Sequence, residues 1–238
     1  MSPPEFTLLF ITVAVGALLQ VSIGFGLGLL AAPVIAIFDP SLTPVVVLLL
    51  ATGVTAAVLV LEGGHLDLRG AGWALAGRLP GAVGGAALVA VLPARHLALL
   101  VAAVVLAGVA VSLRGFVPAP RRRSVLLAGL VSGLMGTATS IGGPPMAMVW
   151  QRLSGPRLRA TMSAFFLAGS VMSLATLAAT GAVHTYSLWH TVLLAPAAVL
   201  GVLLARPLSS RLDIRRTRAV AMVLAVASAT VLVIQQFV

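Results

Sequence analysis

The residues best suited to bind a ligand lie at two short breaks in otherwise apolar segments. Ser22-Ile23-Gly24-Phe25-Gly26 recurs 118 positions later as Ser140-Ile141-Gly142-Gly143-Pro144. Glycine and proline release backbone groups from the helical hydrogen-bond ladder, and lipid hydrocarbon offers those groups no water. Such breaks survive only where protein covers them or where they line a cavity, and the free N–H groups at helix ends favour anions. The chemistry that we expect is therefore recognition of a small anion.

Neutral hydrogen-bond donors and small residues surround both breaks. The hydroxyl and amide side chains offer donors, the glycines permit close approach of the backbone, and proline is tolerated in the first turn of a returning helix. Small residues also let membrane helices pack tightly, and packing alone is the alternative role for these positions. The predicted substrate-binding residues at the breaks are Gln20, Ser22, Gly24, Phe25, Gly26, Thr137, Thr139, Ser140, Gly142, Gly143 and Pro144.

Arg78 completes the predicted binding set, since it lies inside an apolar segment nine residues past Arg69. If its side chain faces a central cavity, the guanidinium holds an anion. The alternative is that the side chain extends to the inner membrane surface. No acidic residue lies deep in a segment, where ion-coupled carriers usually place one. The sequence therefore argues against a carboxylate-based Na⁺ or H⁺ coupling site.

The elements that position these residues are membrane helices. Of the 238 residues, 60% are hydrophobic and only 8% are charged, with a mean hydropathy of +1.15. Soluble domains carry about 25% charged residues, and a helix of about 20 apolar residues spans a bilayer. We therefore predict an all-α polytopic membrane protein. Its eight hydrophobic segments lie at about 6–37, 44–62, 70–92, 96–113, 124–150, 158–181, 187–207 and 215–237.

An internal duplication divides the eight segments into two sets of four. Pro80 to Gly85 corresponds to Pro196 to Gly201 at an offset of 116, close to the offset of the two breaks. Nearly constant offsets indicate a tandem repeat. The predicted organisation is a first membrane repeat at 1–113, a cytoplasmic linker rich in Arg and Pro at 114–123, and a second membrane repeat at 124–238, all within one transmembrane domain.

The distribution of arginine predicts how the repeats are oriented. All 15 basic residues are arginine. If the first segment of each repeat enters the membrane, turns at its glycines and returns to the same side, every arginine except Arg95 falls on one face, as the positive-inside rule prefers. The two repeats are then inverted, with both termini outside and the linker in the cytoplasm. A long helix that is kinked at the same glycines is the competing arrangement.

Other functional classes have little support in the sequence. The chain has no cysteine and four scattered histidines, so no metal or cofactor is expected and an intramembrane enzyme is a poor interpretation. The net charge of +10 is explained by membrane topology rather than by nucleic-acid binding. The expected partners are a small anionic substrate and the lipid bilayer, and a homodimer is compatible with the sequence.

These motifs resemble the sulfite exporter TauE/SafE family, also called TSUP or DUF81. The resemblance rests on the Gly-rich start of each half, on the turn Gly64-His65-Leu66-Asp67 and on the Gly-rich third segments. It implies a permease of the bacterial inner membrane that exports a small sulfur-containing anion such as sulfite, a sulfonate or sulfoacetate, by alternating access around the two breaks. The alternatives are transport of another small organic anion and, further from the pattern, a membrane subunit with no transport activity.

Overall fold

The computed structural model describes residues 2–62, 64, 66, 68–113, 121–153, 155–209 and 214–237. Most of the predicted linker, residues 114–120, lies outside these ranges, as do His65 and Asp67 of the predicted turn. The described residues form ten α-helices and one 3₁₀ turn, Pro40–Leu42. The α-helices are α1 Pro3–Ile23, α2 Leu27–Phe38, α3 Val45–Glu62, α4 Leu68–Val91, α5 Ala94–Leu113, α6 Arg122–Thr139, α7 Gly143–Val149, α8 Gly155–Ala179, α9 Thr185–Ser209 and α10 Ile214–Gln235.

The helical class and the breaks agree with the sequence prediction. Five of the described helices, α1, α4, α5, α8 and α9, are long and apolar enough to cross a membrane. Segments one and five are each divided in two, because α1 ends at Ile23 before α2 begins and α6 ends at Thr139 before α7 begins. The all-α membrane fold is therefore confirmed.

Backbone conformations that favour glycine end the first helix of each half. Gly24 closes α1 with φ 87°, and its N–H donates to the Gln20 carbonyl. Gly26 follows with φ 147°. At the second break Ser140 takes φ 63°, a left-handed conformation that is uncommon for any residue except glycine. Prolines in its first turn then start α7, as the sequence predicts.

The chain reverses direction at both breaks rather than continuing as a kinked helix. A methyl group at Gly16 would lie 3.1 Å from the Leu27 Cα, yet eleven residues of continuous helix would separate these positions by about 16 Å. In the second half the Ser132 hydroxyl donates to the Gly142 carbonyl over 2.6 Å. Helices α1 and α2 therefore form one hairpin, and α6 and α7 form another.

Protein surrounds the returning helix of the first hairpin. Nearly all of α2 is buried in the largest apolar cluster of the molecule, together with residues of α1, α3, α5 and α10. Pro33 lies inside α2 and is itself buried. Because a broken helix cannot satisfy all of its backbone groups in lipid, this enclosure is what makes the break tolerable.

Glycines bring α4 and α6 into direct backbone contact. Added methyl groups at Gly77 and Gly81 of α4 would collide with the carbonyl oxygens of Leu126 and Leu130 of α6. Gly129 and Gly133 of α6 pack in the same way on Ala74 and Arg78 of α4. Each contact four residues further along α4 is made by a residue four positions further along α6, so the two helices run parallel. The glycines serve packing here, as small residues commonly do between membrane helices.

Helices α3 and α8, which correspond in the predicted repeat, contact each other. Thr52 of α3 donates a hydrogen bond of 2.8 Å to Ser170 of α8, and the two residues are 118 positions apart, the same offset as the breaks. The start of α3, at Val45 and Leu48, packs in one cluster with Leu174 and Leu177 near the end of α8. Helices α3 and α8 are therefore antiparallel and touch at repeat-equivalent residues.

Candidate functional site

Both helix breaks line one small cavity at the centre of the helix packing. Its volume is about 40 Å³. Because one buried water needs about 10–15 Å³, the cavity accommodates a few small polar atoms. Eight of the twelve predicted binding residues line this central cavity. They are Gln20, Phe25, Gly26, Arg78, Ser140, Gly142, Gly143 and Pro144.

Arg78 is the charged residue of the central cavity. It is buried, with 1% of its surface exposed, and its Nη1 donates to the Ser132 hydroxyl over 3.1 Å. Ser132 in turn donates to the Gly142 carbonyl at the tip of the second hairpin. The guanidinium carbon lies 4.8 Å from the centre of the Phe165 ring, within the range of a cation–π contact. The side chain therefore turns into the protein and not toward the membrane surface.

The space for the guanidinium exists because three neighbouring positions have no side chain. A methyl group at Gly169 of α8 would occupy the place of the Arg78 Nε and Cζ. Methyl groups at Gly136 and Gly142 would lie 3.1 and 3.3 Å from the terminal nitrogens. Helices α6 and α8 and the start of α7 thus form a close-fitting channel for one arginine.

The positive charge of Arg78 has no protein counter-charge among the described residues. Its Nε is buried and makes no hydrogen bond within the part of the chain that the structure describes. The two acids whose side chains are described are engaged elsewhere, since Glu5 accepts from the Ser2 backbone and Asp39 accepts from Ser41. A buried cation without a partner is costly, and an anion in the adjoining cavity would relieve that cost.

The other polar lining residues have partners in the backbone. The Gln20 Oε1 accepts from the Leu27 N–H at the start of α2 over 3.3 Å. The Ser140 hydroxyl donates to the Pro44 carbonyl over 2.9 Å. Both side chains thereby fix the tips of the hairpins, and the Gln20 amide nitrogen remains as a donor at the cavity wall.

Four predicted binding residues lie outside the central cavity and have structural contacts. The hydroxyls of Ser22 and Thr139 donate to carbonyls of their own helices, at Leu18 and Met135. Thr137 pairs with the Ser173 hydroxyl over 2.7 Å. Gly24 packs against Met162, where an added methyl group would lie 3.4 Å from its Cβ. Sequence position near a break did not distinguish these residues from the cavity lining, because a helix turns a side chain away within one or two residues.

Several residues that shape the site were not predicted. Ser132, Phe165 and Gly169 hold the Arg78 side chain, and Phe166 and Ser170 line the cavity. The repeat offset offered a signal for one of them, since Thr52 and Ser170 are hydroxyl residues 118 positions apart in otherwise apolar segments. For the residues around Arg78 the sequence gives no such signal, because their contacts depend on how α4 packs between α6 and α8.

A second, larger cavity of about 330 Å³ adjoins the site beyond Phe25. Polar residues line part of it, including Ser22, Gln151 and Arg159. We name it the Arg159 vestibule. Phe25 lines both this vestibule and the central cavity, so the residue lies between the two cavities.

A multi-pass helical fold with paired helix breaks around a small internal cavity is typical of polytopic membrane transporters. The chain matches the family model described as Sulfite exporter TauE/SafE over residues 8–232, nearly its whole length. It therefore belongs to the TauE/SafE sulfite exporter family, whose members are membrane transporters rather than enzymes. No curated protein and no solved structure matches the chain.

Proposed function

We propose that the protein is an inner-membrane permease that exports a small sulfur-containing oxyanion, such as sulfite, a sulfonate or sulfoacetate. The observation that carries this proposal is Arg78, a buried cation without a described carboxylate partner that lines the cavity shared by the two hairpin tips. Membership of the TauE/SafE family supports the same substrate class.

The chemistry of the cavity suits an oxyanion. A guanidinium presents planar pairs of N–H donors that match two oxygens of one oxyanion group, and such charge-assisted bonds are stronger than neutral ones. Apolar residues, including Leu29, Leu48 and Phe166, form the rest of the wall and lower the local dielectric. They also leave a surface that a short organic group of a sulfonate can contact.

The transport cycle that we propose is alternating access between two inverted repeats. The antiparallel contact of α3 and α8 at equivalent residues supports an inverted relation, and the paired broken helices are typical of carriers that bind at the membrane centre. The proposed orientation places both termini outside and the linker in the cytoplasm. An inside-negative potential favours the outward movement of any negative charge that an entering anion does not balance, by about 2.3 kcal/mol per charge per 100 mV.

The test is flux of radiolabelled sulfite and sulfoacetate from proteoliposomes that contain the purified protein. We expect Arg78→Gln to reduce the flux at low substrate concentration by at least about tenfold, since the anion loses its only charged partner in the described cavity. Arg95→Gln is the matched control, because Arg95 lies against Phe237 and does not line the cavity. Equal flux in the wild type and in protein-free vesicles would refute the proposed function.

A further inference from the structure

We infer that the protein is an obligatory anion exchanger: it changes between its inward-facing and outward-facing forms with an anion on Arg78 and returns only after another anion has bound. This inference rests on the proposed function and adds the mode of transport. It derives from the charge of the site and from the absence, in the described part of the chain, of a group that could replace the anion.

The groups that face Arg78 are neutral on every described element packed against it. Helix α6 contributes the Ser132 hydroxyl and Gly136, and the start of α7 contributes Gly142. Helix α8 contributes Gly169 and the Phe165 and Phe166 rings, at 4.8 and 5.9 Å from the guanidinium carbon. One hydroxyl and the aromatic faces orient the cation, yet they supply no negative charge.

The remaining acids of the chain are remote in sequence or outside the described residues. Asp67 and Asp213 lie outside the described ranges, and the side chain of Glu62 is not described. Glu62 follows the cavity-lining Ala51 by eleven residues along α3, or about 16 Å of helix. Asp67 precedes Arg78 by the same number of residues. Among the described residues, the guanidinium held beside Ser132 therefore faces no carboxylate.

Proton transfer cannot remove the charge of the site when the substrate leaves. Arginine remains protonated in proteins at all physiological pH values. Of the described histidines, His190 lies furthest along a helix from its first residue, in α9. Its Nδ1 pairs with the Tyr186 carbonyl of the same helix, and its side chain does not line the central cavity. The carrier therefore keeps a full positive charge through every step of the cycle.

Closing the site around an unpaired cation is unfavourable because the central cavity is small and is lined mostly by apolar residues. With about 40 Å³ of space, it leaves room for only about three waters to solvate the guanidinium. A bound anion neutralises the charge and makes the same closure favourable. The loaded carrier should therefore reorient faster than the empty carrier, and one anion must enter for each that leaves.

The test compares exchange with net efflux in one preparation. Proteoliposomes loaded with radiolabelled sulfite are diluted into medium that contains either unlabelled sulfite or gluconate, with potassium and valinomycin present to hold the membrane potential at zero. We expect efflux into sulfite to be at least about tenfold faster than efflux into gluconate, a difference of about 1.4 kcal/mol in the barrier. A singly charged anion on Arg78 makes the loaded site neutral, so each loaded step moves no net charge and an imposed potential of either sign should leave the exchange rate unchanged.

The outcomes separate this inference from the proposed function. Equal efflux into sulfite and gluconate would overturn obligatory exchange while leaving a sulfite transporter. Strong dependence of the sulfite exchange rate on the imposed potential would also overturn it. Absence of protein-dependent efflux into either medium would refute transport of sulfite itself. Arg95→Gln is the control for reconstitution, and it should retain the wild-type ratio of the two rates.

Discussion

Arg78 is held by contacts that orient its guanidinium without neutralising it. The Ser132 hydroxyl fixes one terminal nitrogen, and the guanidinium carbon lies 4.8 Å from the centre of the Phe165 ring. A carboxylate in the same place would bind the arginine tightly and compete with any substrate. A buried arginine with neutral neighbours is therefore suited to bind an anion reversibly.

Gly169 provides the first test of this arrangement. In Gly169→Ala the new methyl group would collide with the Arg78 guanidinium and would lie 2.6 Å from the Arg78 Cδ. The Arg78 side chain must therefore move away from its present position in the channel. We expect at least about tenfold lower sulfite flux in proteoliposomes, with the protein still inserted in the membrane. Gly53→Ala is the matched control, because nothing lies within 4 Å of that position. Wild-type flux in Gly169→Ala would contradict the role assigned to the channel.

Among the individual residues, the sequence located the breaks and Arg78 but not the contacts between them. Glycine, serine and proline in an apolar segment predict a break because of their backbone preferences, which are local properties. Ser132 and Phe165 contact Arg78 only because α4 lies against α6 and α8, and that packing depends on the whole chain. This is why Thr137 and Thr139, close to the break in sequence, were predicted as binding residues but pair elsewhere.

The parallel contact of α4 and α6 positions Arg78 of α4 beside Ser132 of α6. Glycines at every fourth position of α4 let the two backbones approach until carbonyl oxygens occupy the space of a missing Cβ. The sequence shows these glycines, Gly77, Gly81 and Gly85, at Gly-x3-Gly spacing. It could not predict the partner helix, since Gly-x3-Gly spacing indicates a close contact without identifying the second surface.

Gly81→Ala tests this interface. Alanine is a better helix former than glycine by about 1 kcal/mol, so an isolated α4 would gain stability. In the protein the methyl group would collide with the Leu130 carbonyl and would lie 2.9 Å from the Leu134 nitrogen. We expect a lower thermal unfolding temperature in detergent, measured by intrinsic fluorescence. Gly72→Ala on the same helix has open space around it and should not lower that temperature; a decrease of equal size in both variants would refute the packing argument.

Across the whole molecule, the function that we propose requires the two hairpin tips to meet and then to move relative to one another. A methyl group at Gly143 would lie 3.2 Å from the Phe25 Cβ, so the tips of opposite halves are in contact. Sequence alone predicted that two breaks exist and that they correspond. That the two breaks form one site was also expected from the sequence. The residues that touch there, Phe25 and Gly143, could not be predicted, because their contact depends on how α3 and α8 pack.

The chain has no cysteine, so a pair of introduced cysteines can test this contact without further changes. Cysteines at positions 25 and 143 should form a disulfide under mild oxidation. Bonded pairs have Cβ atoms about 3.5–4.5 Å apart, and a shift of a few tenths of an ångström brings the present 3.2 Å into that range. A protease site inserted between residues 113 and 121 makes the link visible as an uncut band on a denaturing gel. We expect sulfoacetate flux to stop in the linked protein and to return on reduction.

The matched control for the cross-link pairs Phe25→Cys with Gly53→Cys, which faces open space and should not form a link. Failure of the Phe25 and Gly143 pair to link would contradict the meeting of the tips. Wild-type flux in the fully linked protein would contradict movement of one tip against the other.

Anion binding to Arg78 between the two hairpin tips is the central requirement of the proposed function. Equilibrium binding of radiolabelled sulfoacetate to the purified protein in detergent measures it. Because loss of one member of a buried ion pair costs about 3–5 kcal/mol, Arg78→Gln should weaken binding by at least about 100-fold. Arg95→Gln should bind as the wild type does, with one anion per chain. Saturable binding of unchanged affinity in Arg78→Gln would contradict the account.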